Sequence, residues 1–189
     1  MSVRIYGNRL IETLPGDDMR PTTSKVREAL FNIWQGTIEG CRWLDLCAGS
    51  GAMGAEALCR GASVAVGIEK NPEACDIARK NWKRWTQKSQ SASVIRGNVV
   101  KTLDKLAGQQ FDRIYFDPPY KGDLYEPVLA AIVEFKLLAI HGECAVEHSP
   151  GRSIGCDGLV VCREKKYGNT AVTFLMLEES PLASDSGGA

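Results

Sequence analysis

From Arg42 onward, short apolar runs alternate with stretches of helical period, and this alternation restricts the chain more than any other feature. Residues 42–47 (RWLDLC) read as a buried strand, and residues 51–60 as an alanine-rich helix stopped by Gly61. A second strand follows at 63–69 (SVAVGIE). Asn71 and Pro72 then supply a cap and a first-turn proline for a helix to about Lys88. Strands are predicted at 92–97, 111–117 and 142–148, with a short helix at 99–106 and a longer one at 126–139. Two closing strands, 159–164 and 171–178, join through Lys165, Lys166, Tyr167 and Gly168. Such a pattern predicts an α/β fold with a mainly parallel seven-stranded sheet and helices on both faces. Ligands of these sheets bind beyond the carboxyl ends of the strands. The loops after the first, second and fourth of these strands therefore share one rim.

The segment before Arg42 predicts a small hairpin, 3–5 with 9–11 around Gly7-Asn8, and then an amphipathic helix. Val26, Ala29, Leu30, Ile33 and Trp34 fall at helical spacing, a threonine (Thr22 or Thr23) is available as cap, and Gly36 can end the helix. The 189 residues suffice for one domain, expected to span 1–179 with 1–36 as an N-terminal extension. Residues 180–189 (SPLASDSGGA) are poor in apolar side chains and read as a disordered tail.

No apolar run approaches the ~20 residues of a membrane span, and the N-terminus, with Arg4 and Arg9 in an alternating pattern, is no secretory signal. Seven cysteines form no C-x-x-C pair, and His141 and His148 complete no metal-ligand pattern, so reduced cysteines, a cytoplasmic location and no metal are expected. Zero net charge argues against a strongly basic nucleic-acid binder. The charge is unevenly spread, however: residues 76–105 carry eight Lys/Arg against two Asp/Glu, and residues 106–150 three against seven. Lys80, Arg84 and Lys88 share one helical face, which reads as a solvated outer face or as an RNA-binding one.

The loop after the first of these strands runs from Asp45 to Gly54, and its residues 49–54 match G-x-G-x-x-G. Glu69 ends the next strand, placed to accept from ribose hydroxyls. A tight strand-to-helix turn without ligand is the plain alternative. Two features favour S-adenosyl-L-methionine over a nicotinamide dinucleotide. Asp45 at the strand end would repel a pyrophosphate and attract an ammonium. A single domain is expected, which leaves no second domain to hold a hydride acceptor. Asn98 could meet the adenine edge through its amide. Cys47, with neither histidine nearby in sequence, reads as core and not as a nucleophile.

The fourth strand of the alternating region ends in Asp117-Pro118-Pro119-Tyr120. Two prolines stop a strand and stiffen the turn after it. Asp117, the Pro118 carbonyl and the Tyr120 ring are then held in fixed relation, suited to gripping a planar amino group. A solvated carboxylate and a packed loop aromatic would be the unremarkable reading.

The segments RPTTSKVREALFN, LDLCAGSGAMGAEALCRGA, IYFDPPY and KKYGNT occur in an order that resembles the RsmD-type bacterial 16S ribosomal RNA guanine-N(2) methyltransferases, over residues 1 to about 178. The resemblance implies a Rossmann-like class I S-adenosylmethionine-dependent methyltransferase fold. It implies methyl transfer to the exocyclic amino group of a guanine, by a monomer acting on ribosomal RNA or the assembling small subunit. Asp117, Pro118, Pro119 and Tyr120 would be the catalytic group. Asp45, Cys47, Ala48, Gly49, Gly51, Glu69, Lys70, Asn98, Val99 and Asp117 would bind the cofactor. Asn98 stands where such enzymes more often have Asp. RNA contacts would fall to Arg20, Lys25, Arg27, Lys121, Lys165, Lys166 and Tyr167. For Arg20, Lys25 and Arg27 the alternatives are the cofactor carboxylate and a solvated helix face; for the last three, an ordinary charged hairpin tip. The rival functions are DNA amino methylation, protein-glutamine methylation, a NAD-dependent oxidoreductase and a non-catalytic ribosome-assembly factor.

Overall fold

The computed structural model describes residues 2–14, 21–120 and 122–178, without the side chains of 21–23. Strands β1 (Ser2–Ile5) and β2 (Arg9–Glu12) pair antiparallel, as the Gly7-Asn8 turn predicts. Helix α1 (Pro21–Ile33) follows. The chain then alternates through β3 (Arg42–Leu46), α2 (Ala52–Cys59), β4 (Val64–Glu69), α3 (Pro72–Trp85), β5 (Ser91–Arg96), α4 (Val99–Thr102) and β6 (Phe111–Phe116). It ends with α5 (Tyr125–Glu134), β7 (Leu138–His148), β8 (Leu159–Tyr167) and β9 (Thr170–Leu177). The seven-stranded sheet has the order β5-β4-β3-β6-β7-β9-β8. Its first five strands are parallel, and β9 runs antiparallel to both β7 and β8.

Both faces are covered, which is why the central strands are rich in apolar side chains on both faces. Alternate side chains of β3 divide between two cores: Trp43 on one face, Leu44 and Leu46 on the other. The Trp43 side holds α1, α2, α3 and the β1–β2 hairpin. There Phe31 stacks on Trp43 at 5.3 Å between ring centroids, and Trp34 meets Trp43 and Phe174 edge-on. Helix α1 thus covers the β9 side of the sheet that α2 and α3 leave open. The opposite face is closed by α4, the 3-10 turn Leu103–Leu106 and α5.

Several boundaries differ from expectation for local reasons. Helix α3 stops at Trp85, short of Lys88, because Thr86 turns extended and returns its hydroxyl to the Trp82 carbonyl at 2.7 Å. Helix α5 ends at Glu134 and not at Ala139: Lys136 takes a left-handed φ of 53°, and Leu138 opens β7 opposite Phe111. The apolar run 135–140 fits either period, so sequence alone does not separate them. Lys165, Lys166 and Tyr167 belong to β8 itself, and Gly168-Asn169 makes the turn. The expected tail lies outside the described residues. Among the described residues, no helix is long and apolar enough to cross a membrane.

Candidate active site

Strands β3, β4, β5 and β6 all end at one rim, and the residues that follow them enclose a cavity of about 320 Å³. Cys47 enters from β3, Ile68, Glu69 and Lys70 from β4, and Gly97, Asn98 and Val99 from β5. Asp117, Pro118 and Pro119 close it after β6, together with Leu124 at the start of α5. Most of the residues expected to hold a cofactor thus share one wall with the first three residues of the proline turn. Leu124, Ile68 and Gly97 were not foreseen; Ile68 and Gly97 are the apolar and small positions next to Glu69 and Asn98, and Leu124 comes from the start of α5.

The glycine loop is pinned from three directions. Gly49 donates its N–H to Glu69 Oε2 at 2.8 Å, and Gly54 donates to Asp45 Oδ2 at 2.9 Å. From α3, Trp82 Nε1 donates to the Gly51 carbonyl at 2.8 Å and Asn81 Nδ2 to the Ser50 carbonyl at 2.9 Å. Trp82 also explains two glycines. A Cβ on Gly54 would lie 2.1 Å from its ring, and one on Gly51, which has φ 77°, would lie 2.6 Å from its Nε1. By contrast a Cβ on Gly49 would meet nothing within 4 Å, so close approach of another group is possible on that side alone of the three. Ala48, Gly49 and Gly51 form the loop beside the cavity. Asp45 lies behind it, almost fully buried, with burial pushing its carboxyl up to about 8.

Glu69 is already engaged, since its Oε1 accepts from Asn71 N–H at 2.8 Å. Each carboxylate oxygen retains acceptor capacity for a further donor. Asn98 caps α4, its Oδ1 accepting from Lys101 N–H at 3.3 Å, a role Asn and Asp fill equally well. The Cys47 thiol is held up to about 12, by burial first and then by the charges of Glu69, Asp117 and Asp45, with Lys70 opposing. A thiol so placed stays protonated and is no nucleophile. The same arrangement describes a cavity whose field favours a cation.

The turn itself is tied to the sheet by Asp117 N–H on the Leu46 carbonyl at 3.4 Å. Tyr120 stands beside the cavity with its hydroxyl 3.0 Å from Glu147 Oε1 and 3.1 Å from Thr170 Oγ1. Glu147, at the rim end of β7, and Thr170, the first residue of β9, escaped the sequence reading. A signal for Glu147 was present: like Asp45 and Asp117, it is an acid at the end of a buried apolar strand.

The expected RNA contacts are dispersed. Arg27 is corrected outright: its side chain is buried, with Nε 2.6 Å from Glu56 Oε2 and Nη2 donating to the Arg4 carbonyl at 2.7 Å. It locks α1 to α2 and to the hairpin. Arg27, Leu30, Phe31 and Trp34 form one buried stripe at i, i+3, i+4 and i+7, which explains its position. Lys25 is exposed. Lys165 and Lys166 are exposed on edge strand β8, Lys166 lying 3.7 Å from Glu164, and Tyr167 is half-buried against the core. The β8–β9 turn adjoins the proline turn through Thr170. Arg20 and Lys121 lie outside the described residues.

Residues 3–176 match the family model described as "Conserved hypothetical protein 95". The chain is 33% identical over 172 residues to "Putative rRNA methyltransferase YlbH" of Bacillus subtilis, spanning 88% of this chain and 92% of that one. It is 35% identical over 154 residues to "Ribosomal RNA small subunit methyltransferase D" of Escherichia coli, spanning 77% and 76%. A solved structure, "Putative methyltransferase yhhF from Escherichia coli", superposes with a TM-score of 0.81 at 30% identity, covering 94% of this chain and 99% of that one. A rim cavity between a glycine loop and a DPPY turn, in this strand order, and matches that span nearly the whole fold lead to one assignment: the chain belongs to the RsmD-type methyltransferase family.

Proposed function

We propose that this protein transfers a methyl group from S-adenosyl-L-methionine to the exocyclic N2 amino group of a guanine in small-subunit ribosomal RNA. The observation that carries the proposal is the shared wall: Asp117, Pro118 and Pro119 border the same cavity as Cys47, Glu69, Lys70 and Asn98. Family membership and the name of the E. coli relative support ribosomal RNA as substrate. Guanine N2 is the acceptor that the sequence resemblance implies.

The residues present fit the cofactor. A cavity of about 320 Å³ lies at the lower end of the usual range for small-molecule sites. Its surrounding acids Glu69 and Asp117 favour a cationic ligand. When bound, S-adenosylmethionine supplies an electrophilic methyl on a positively charged sulfur. Glu69 would accept from ribose hydroxyls, Asn98 and Val99 would border the adenine, and Asp45 would brace the loop from behind through the bond from Gly54 N–H.

The amino lone pair of a base is delocalised into its ring and is a poor nucleophile. The Asp117 carboxylate and the Pro118 carbonyl would each accept one amino hydrogen, exposing the lone pair and aligning it for in-line attack. The carboxylate also stabilises the positive charge that grows on nitrogen, before a proton is lost to solvent. Stacking of Tyr120 on the base would contribute ~1–3 kcal/mol, the usual worth of a base–aromatic contact. The acceleration comes from positioning and preorganised charge, with no covalent enzyme intermediate. A paired base cannot enter such a site, so the guanine must be unpaired or flipped out.

The test is methyl transfer from radiolabelled S-adenosylmethionine to unmethylated small-subunit RNA, naked and in assembled particles, beside duplex DNA. Label recovered as N(2)-methylguanosine, falling about 100-fold or more with Asp117→Ala, is the expected result. Label in DNA alone would overturn the substrate. Cofactor binding without label in any of these would overturn the enzymatic reading.

A further inference from the structure

Glu147 is buried, yet among the described residues it forms no ion pair with Lys, Arg or His. A carboxylate buried without a cation is held by its hydrogen bonds or not at all. Here each oxygen has its own donor. Tyr115, on β6 and two residues before Asp117, gives its hydroxyl to Oε2 at 2.6 Å. Tyr120, from the proline turn, gives its hydroxyl to Oε1 at 3.0 Å. The main chain is gripped as well, since the Tyr125 hydroxyl from α5 donates to the Glu147 carbonyl at 3.3 Å.

The proton count fixes the direction of the chain of bonds. Both Glu147 oxygens accept, so the single proton of Tyr120 is committed to Oε1. Thr170, 3.1 Å from the Tyr120 oxygen, must then be the donor of that pair. Burial and Glu147 keep the Tyr115 and Tyr120 phenols protonated, their titration moved well above the ordinary tyrosine range. Glu147 does not line the cavity, and neither do Tyr115 and Thr170.

From this arrangement we infer that Glu147 is a positioning residue for the acceptor base: it anchors the Tyr120 hydroxyl and so fixes the plane of the ring against which the base is held. The inference rests on the methyl transfer proposed above. A phenol restrained at its far end by two partners on β7 and β9 cannot swing, so the ring is set before the base arrives. Glu147 acts through Tyr120 and leaves the cofactor untouched.

The test is a kinetic cycle with Glu147→Gln, Tyr120→Phe and the double variant, on RNA that the wild type methylates. Tyr120→Phe keeps the ring and removes its anchor. Each single variant is expected to lower kcat about tenfold, the order of effect of a small misplacement, with the KM for S-adenosylmethionine unchanged. The double variant should lose no more than either single one. Losses that multiply, or a Tyr120→Phe protein with wild-type kcat, would overturn the inference. If Glu147→Gln does not fold, Tyr115→Phe takes its place. It removes the other donor that holds Glu147. It should lower kcat in the same direction as Tyr120→Phe, with the KM for S-adenosylmethionine unchanged and no further loss when the two are combined. A wild-type kcat for Tyr115→Phe, or losses that multiply, would overturn the inference. Failure of wild-type protein to label RNA would instead refute the proposed reaction and is seen before any variant is compared.

Discussion

Asp45 carries its carboxyl behind the glycine loop, and its surroundings make it a proton store for the ligand-free fold. Burial raises it to about 8, and the bond from Gly54 N–H offsets only part of that rise. An unfolded aspartate titrates near ~4. Between those values the folded chain holds a proton that the unfolded chain has lost. Stability from this group is therefore fully present below about pH 4, declines as pH rises, and is gone once pH passes about 8. Asparagine can still accept from Gly54 N–H but cannot titrate. Asp45→Asn should flatten the decline, so that denaturant midpoints taken along this pH range fall less steeply than in wild type. Parallel slopes for the two proteins would show that Asp45 is ionised throughout.

The hairpin, α1 and α2 are joined through Arg27, and the join shows where sequence reading stops. The apolar stripe of α1 is legible because Val26, Leu30 and Trp34 recur at helical spacing. An arginine inside that stripe is ambiguous, since a cation so placed serves a surface or a buried acid equally well. What decides it is Glu56, 29 residues away on α2, and no local pattern couples the two. The same limit hid Glu147 as the partner of Tyr120, 27 residues apart. Motifs that act within one loop, such as 49–54 and 117–120, were legible because their geometry is set by neighbours in sequence. Arg27→Ala would leave Glu56 with Arg60 alone, at 2.8 Å. A loss of about 3 kcal/mol in unfolding free energy is expected, the low end for breaking a buried pair because one partner remains. RNA affinity of the folded variant, measured by filter binding, should match wild type; a drop in affinity at unchanged stability would return Arg27 to the RNA surface.

At the scale of the molecule, the sheet has two halves with different duties. Strands β5, β4, β3 and β6 each deliver cavity-wall residues at their carboxyl ends, whereas β7, β9 and β8 deliver Glu147, Thr170 and the exposed Lys165 and Lys166. A ligand in the cavity therefore bridges the ends of four strands. Binding to the folded state alone at about 100 times Kd stabilises it by ~2.7 kcal/mol. For a chain of this length that corresponds to a rise of about 5–10 °C in Tm. S-adenosylhomocysteine should produce such a rise. It should also slow amide hydrogen exchange in the loops after β3, β4, β5 and β6, while leaving β8 unchanged. A rise with a nicotinamide dinucleotide and none with S-adenosylhomocysteine would assign the glycine loop to the other cofactor. Protection spread evenly over both halves would mean that the cavity is coupled to the whole sheet, and that the division of labour drawn from its lining is wrong.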